Sequence, residues 1–207
     1  MRREYARAGL AIADLAPTWL EQLRRWMRDA TESGLPEPNA MIVATVGSGG
    51  QPSARTVLLK GLDERGLVFF TNYSSRKAVE AAENPRVAAV LPWHAIGRQV
   101  IVEGRVERVD RSETESYFAT RPRDSQLSAW ASPQSQVIAG REVLDAALAE
   151  VERRFGPDKP IPAPPNWGGL RIVPSSVEFW QGRPGRLHDR LRYRQADAGW
   201  VVERLAP

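Results

Sequence analysis

The sequence predicts a mainly β protein, an antiparallel barrel with helices at its periphery. Three observations carry this. At least six runs of alternating or β-branched apolar residues are present, several joined by tight turns such as "GSGGQP", "DERG" and "ADAG"; strands joined this way pair antiparallel. That many strands favour closure, which removes exposed edges. Strand and helix do not alternate regularly, which argues against a doubly wound parallel sheet.

The elements follow in order. Residues 17–30, "PTWLEQLRRWMRDA", read as an amphipathic helix. Proline suits its first turn, Trp19, Leu20, Leu23, Trp26, Met27 and Ala30 recur at three- and four-residue spacing, and Gly34 supplies a stop. "AMIVATV", "SARTVLLKG" and "LVFFTN" are strands. The glycines of "GSGG" lie between two of them and lack a following Gly-Lys-Ser/Thr, so they make a hairpin turn and not a phosphate loop. "SSRKAVEAAENP" is a short helix with a serine cap, ended before Pro85. "RVAAVLPW" and "RQVIVEGRVERV" are strands, the second with Val100, Val102, Gly104 and Val106 on one face. Residues 112–120 and 140–155 are helical, "GPDKPIPAPPNWGG" is a Pro-rich connection, and "LRIVPSSVEFWQG" and "LRYRQADAGWVVERL" close the chain as strands.

Composition narrows the chemistry. The 207 residues suit one large domain or two small ones, and 42% hydrophobic content with seven tryptophans indicates a folded core. No apolar run approaches the ~18 residues that cross a bilayer. The N-terminus, "MRREYARAGLAIADL", has no sustained apolar stretch and no cleavage site, so a cytoplasmic location is expected. Without cysteine there are no disulfides, thiolate metal sites or thiol nucleophiles. His94 and His188 are the only imidazoles, so no histidine-rich metal site can form within one chain, and redox chemistry needs an organic cofactor. The net charge of +4 and pI of about 9.8 fit nucleic acid or small phosphorylated ligands. Acidic residues interleaved as in "WLEQLRRWMRDATE" weaken the first reading.

Polar chemistry concentrates in four stretches. In "RTVLLK", Arg55 and Lys60 are five positions apart, so on one strand they point to opposite faces; exposed strand charge is the alternative. In "TNYSSRK", hydroxyls, a helix start and the pair Arg76–Lys77 make an anion site, against a capped helix with solvated basic residues. In "SYFATRPRDSQLSAWASPQSQ", Tyr117, Arg121 and Ser125 recur every four residues, although Pro122 interrupts a continuous helix, and Gln134 and Ser135 follow in a polar loop. "GRPGRLHDR" gathers Arg186, His188 and Arg190, which line one wall if the segment is extended; a solvated basic loop is the alternative.

These blocks occur together and in order with "NPRVAAVLPW", "RQVIVEGRVER", "FWQG" and the final "RLAP". In this the chain resembles the pyridoxine (pyridoxamine) 5′-phosphate oxidases over essentially its whole length. The resemblance implies an FMN-binding split β-barrel, mainly β with α, antiparallel and Greek-key-like, as one domain over 1–207. Within it, 1–15 would be a mobile N-terminal segment and 156–168 the Pro-rich connection. It further implies a homodimer with FMN between subunits. Pyridoxine or pyridoxamine 5′-phosphate would be oxidised to pyridoxal 5′-phosphate, with oxygen reoxidising the flavin to give hydrogen peroxide. No nucleic acid, membrane or metal partner is expected.

Carried over by position, the resemblance assigns FMN contacts to Arg55, Thr56, Val57, Leu58, Leu59, Lys60, Phe70, Thr71, Arg76, Lys77, Gln99, Gln134, Ser135, Trp180 and Arg190. It gives the substrate phosphate to Lys60, Tyr117, Arg121 and Ser125. Arg186, Leu187 and His188 would lie against the substrate ring, with Arg186 and His188 catalytic. Arg2, Arg3, Glu4 and Tyr5 match a segment that closes over the substrate. A split-barrel oxidase of phenazine biosynthesis, a non-catalytic flavin or pyridoxal-phosphate carrier, and a basic nucleic-acid-binding barrel are the rival readings.

Overall fold

The computed structural model describes residues 9–207. Nine strands and five helices are present among them. The strands are β1 Ala40–Val46, β2 Pro52–Leu58, β3 Gly61–Asp63, β4 Gly66–Asn72, β5 Arg86–Trp93, β6 Arg98–Arg108, β7 Trp167–Gln181, β8 Asp189–Ala196 and β9 Gly199–Leu205. The helices are α1 Trp19–Glu32, α2 Arg76–Glu83, α3 Arg111–Ala119, α4 Arg123–Ala131 and α5 Arg141–Phe155. No helix among the described residues is long and apolar enough to cross a membrane.

All strand pairs are antiparallel, in the order β2-β1-β5-β6-β7-β4-β3. The two ends of this order are consecutive in the chain. β2 pairs with β1, and after Leu59 and Lys60 the same run pairs with β4 as β3, with Lys60 N–H donating to Val68 O at 2.8 Å. The path therefore returns on itself as a six-stranded barrel, as the strand count predicts.

β7 makes the barrel a split one. One edge pairs with β6 along its length, while the other is divided. Residues 167–172 pair with β4, and residues 176–181 pair with β8. The β8–β9 hairpin thus leaves the barrel and extends the sheet to one side. A register shift at Glu103/Gly104 lets β6 follow this bend. Gly104 is required there, since a Cβ would lie 2.1 Å from Val173 O.

Alternation fills the interior. Met41, Val43, Leu67, Leu91, Val100, Val102, Ile172, Val177, Phe179 and Leu191 are fully or nearly fully buried. The α1 stripe of Trp19, Leu20, Leu23, Trp26 and Ala30 covers this core, and Thr18 caps the helix by accepting from Glu21 N–H. A second cluster, Phe118, Leu127, Val151, Phe155, Ile161, Ala163 and Trp167, packs α3, α4 and α5 beside the barrel. Residues 9–15 lie against β8, where Leu10 N–H donates to Asp189 Oδ2 at 2.9 Å.

Three expectations need correction. Pro122 does not merely interrupt a helix; it occupies the N-cap position of α4, which the sequence reading leaves unassigned. The Pro-rich connection ends at Asn166, because Trp167 and Gly168 already pair with Asn72 and Thr71. Ser75 stands at the N-cap of α2, but its hydroxyl makes no capping bond and serves Thr71 and Lys77 instead.

Candidate functional site

A polar concavity of about 670 Å³ opens where β2, the end of β4, the start of α2 and the α3–α4 turn meet. Its lining includes Arg55, Thr56, Val57, Leu58, Lys60, Phe70, Thr71, Arg76, Lys77, Tyr117, Arg121, Gln134 and Ser135. All of these are expected from the sequence. Ser53, Ala54 and Trp167 complete the wall and were not expected.

Arg55 and Lys60 line this one cavity, contrary to the opposite-face expectation. The strand does not run straight between them. Leu59, whose side chain is buried in the core, and Lys60 mark the junction where pairing passes from β1 to β4. Side-chain parity does not carry across such a break.

Glu80, on α2, organises two of the cations. Its carboxylate accepts from Thr45 Oγ1 at 2.6 Å, Ser53 Oγ at 2.5 Å and Arg76 Nε at 2.7 Å, and it pairs with Arg55 at 3.5 Å. Burial alone pushes this carboxyl up. The hydrogen bonds from Ser53, Thr45 and Arg76 outweigh that and hold its pKa at about 2. Nothing local in the sequence marks Glu80, because a helix carboxylate ordinarily belongs to a solvated face.

Lys77 differs. It is buried, and its Nζ lies 3.1 Å from Thr71 Oγ1, 3.3 Å from Ser75 Oγ and 3.5 Å from Gln134 Oε1, with no carboxylate partner among the described residues. Burial, and secondarily the charge of Arg55, lower its pKa. Gln134 Oε1 also accepts from Thr71 Oγ1 at 2.9 Å, which ties the loop after α4 to the end of β4. Ser135 beside it has φ +73°.

A further cation, Arg121, lines the cavity beside Trp167. Arg121 follows α3, its Cζ 4.6 Å from the Trp167 ring centre, and its Nη1 is buried with no hydrogen-bond partner among the described residues. Phe70 and Tyr117 stack at 3.9 Å with planes 15° apart, and Trp167 is nearly parallel to both. Ser125 lies on α4 and is not part of this lining.

The remaining expected residues gather elsewhere. Gln99, Trp180 and Arg190 stand directly opposite one another on β6, β7 and β8. Their neighbours Val100, Phe179 and Leu191 are buried in the barrel, so this row faces outward. His188 packs on Trp180 with ring centres 4.6 Å apart, and its Nδ1 accepts the Arg183 N–H at 3.1 Å. The neutral ring therefore carries its proton on Nε2. Arg190 makes a two-pronged pair with Glu178 at 2.7 and 2.9 Å. The segment is not extended at Arg186. Residues Pro184–Arg186 form a 3-10 turn in which Gly185 and Arg186 have φ of +66° and +64°. Alternation therefore does not place 186 with 188 and 190, and Arg186 and Leu187 are exposed at the turn. Arg2, Arg3, Glu4 and Tyr5 lie outside the described residues.

The chain is similar over its whole length to known proteins. A family model described as pyridoxamine 5′-phosphate oxidase matches residues 27–155, and one described as the pyridoxine 5′-phosphate oxidase C-terminal dimerisation region matches residues 167–207. Pyridoxine/pyridoxamine 5′-phosphate oxidases of Salinispora arenicola and Frankia alni are 56% and 57% identical, covering 100% of this chain and 95% and 87% of theirs. The crystal structure of PhzG from Burkholderia lata, in complex with tetrahydrophenazine-1-carboxylic acid, superposes with a TM-score of 0.88 at 31% identity, over 94% of this chain and 95% of that one. A pyridoxamine 5′-phosphate oxidase-related, FMN-binding protein of Nostoc punctiforme, 22% identical with a TM-score of 0.71 over 94% of this chain and 100% of that one, shares the fold. With both family models matched in sequence order and full-length relatives above half identity, this chain belongs to the pyridoxine/pyridoxamine 5′-phosphate oxidase family.

Proposed function

We propose that the chain is an FMN-dependent oxidase converting pyridoxine 5′-phosphate or pyridoxamine 5′-phosphate to pyridoxal 5′-phosphate. It acts as a homodimer with FMN held between subunits. The cavity offers donors for two phosphates. Lys77, Arg76, Thr71 and the first N–H groups of α2 suit the flavin phosphate. Lys60, Tyr117 and Arg121 suit that of the substrate.

The observation that carries this reading is Arg121 Nη1, a buried donor without an acceptor among the described residues. Leaving such a group unmatched costs about 1–3 kcal/mol, so the site is built for an anion that accepts from it. Lys77, buried among neutral oxygens, makes the same demand at the other end of the cavity.

Bound FMN would supply the acceptor for a hydride from the substrate carbon bearing the amine or hydroxyl, and oxygen would take up the electrons as hydrogen peroxide. The chain's residues supply the rest. Gln134 and Ser135 border the cavity rim, and Phe70 and Tyr117 present an aromatic wall. The outward row Gln99, Trp180 and Arg190 shares no cavity with these residues in one chain; a partner subunit would bring it against them. Arg186 orients the ring. His188, whose imidazole can carry a proton on either nitrogen, is the group suited to take the proton that leaves the amine or hydroxyl.

The fold likeness to PhzG raises the reading of a phenazine oxidase. Three cavity cations without a carboxylate partner among the described residues, Lys60, Lys77 and Arg121, favour phosphorylated ligands instead. The test is anaerobic mixing of the purified protein with pyridoxamine 5′-phosphate. The flavin absorbance should bleach, then return with peroxide when oxygen is admitted. A colourless protein, or flavin that stays oxidised, contradicts the proposal.

A further inference from the structure

Trp167 is one of three wall residues the sequence did not reveal, and its surroundings give it a specific task. It opens β7 and is held from outside by Arg111. That guanidinium donates to the carbonyls of Ala163 at 2.5 Å, Pro164 at 2.9 Å and Trp167 itself at 3.3 Å. The indole is buried, parallel to Phe70 at 5.4 Å and edge-on to Phe118 at 5.0 Å. Its ring therefore has one fixed orientation, and Arg121 lies 4.6 Å over it.

We propose that Trp167 is the positioning residue of the substrate-phosphate site. Its ring face carries the Arg121 cation, so that the in-plane N–H groups stay open for the phosphate. The proposal rests on the reading that Arg121 binds that phosphate. A carboxylate in the same place would hold the guanidinium equally well, but it would occupy the N–H fork and neutralise the charge. An aromatic face stabilises the cation through the ring quadrupole and uses none of its donors. The geometry matches this division. Arg121 Cζ lies over the Trp167 ring and, at 5.5 Å, over that of Phe118, while Nη1 has no acceptor among the described residues. Arg55 and Arg76 at the other end of the cavity show the contrasting arrangement, each paired with Glu80.

The alternative is that Trp167 only fills the core beside α3. Site-specific replacement of Trp167 by mono-, di- and trifluorotryptophan separates the two. Fluorine drains negative charge from the ring face with little change of shape. The dissociation constant of pyridoxal 5′-phosphate is measured by titrating each flavin-loaded protein, together with its thermal midpoint. The same titration is repeated with Arg121→Ala in each background. Affinity should fall stepwise with fluorination, reaching about three- to tenfold for the trifluoro form, the size of a partly desolvated cation–π contact. The steps should vanish with Arg121→Ala, while the midpoint stays constant. A flat series beside a weakened Arg121→Ala overturns this proposal alone. Unchanged affinity in Arg121→Ala overturns the phosphate reading, and the proposal with it.

Discussion

Lys77 Nζ lies 3.1 Å from Thr71 Oγ1, so the first turn of α2 and the last residues of β4 share one buried proton donor. Its neighbour Arg76 is largely exposed and already donates to Glu80. The adjacent cations are therefore unequal. Lys77→Ala should weaken FMN binding by roughly 1.5–3 kcal/mol, the range for hydrogen bonds to charged groups. Arg76→Ala should cost less, and the double variant need not equal the sum. Flavin fluorescence titration measures all three. Equal losses, or none, would contradict the assignment.

Glu80 predicts how the apoprotein responds to acid. Its folded pKa, about 2, lies below the usual value of 4.5. A depressed carboxylate contributes stability above the unfolded pKa and loses it as pH falls through the folded one. Denaturation midpoints should therefore drop between about pH 5 and pH 2. Glu80→Gln should be less stable at neutral pH and show a shallower drop. Parallel curves for the two proteins would remove Glu80 from this role.

His188 and Arg186 should separate in stopped-flow reduction of the flavin. Arg186→Leu loses ring orientation and should slow reduction about tenfold or more with FMN still bound, a value in keeping with the worth of positioned groups. In His188→Asn the side-chain amide can still accept the Arg183 N–H that Nδ1 now takes, so the turn is retained. It should give the smaller loss. Wild-type rates in both variants would take them off the catalytic list.

The legible parts of this chain are those set by local rules. The α1 stripe, the strand alternation and the "SSRKA" helix start follow from periodicity and turn chemistry, and the cavity residues from Arg55 to Ser135 follow from the family resemblance. What escaped depends on contacts between distant segments. Lys60 joins Arg55 because the barrel closes at Leu59, which no local parity reveals. Trp167 sits at the end of a proline-rich run and gains its role only through Arg111 and Arg121. Glu80 reads as helix charge until Thr45 and Ser53, on two strands, turn towards it. Arg186 takes a left-handed backbone after Gly185, which breaks the alternation inferred for 186, 188 and 190.

In the proposed dimer each flavin site is shared, with the Lys77 cavity from one chain and the Gln99–Trp180–Arg190 row from its partner. Hybrid dimers test this directly. One chain carries Arg76→Ala with Lys77→Ala and the other carries Trp180→Ala with Arg190→Ala, each pair losing flavin as a homodimer. In a two-fold dimer the hybrid concentrates both lesions in one site and leaves the other intact. The isolated heterodimer should therefore hold about half the flavin of the wild-type dimer and reduce it with pyridoxamine 5′-phosphate at the wild-type rate. Heterodimers that bind no flavin would contradict the shared site, because both sites would then carry a lesion, as they must if each is built within a single chain.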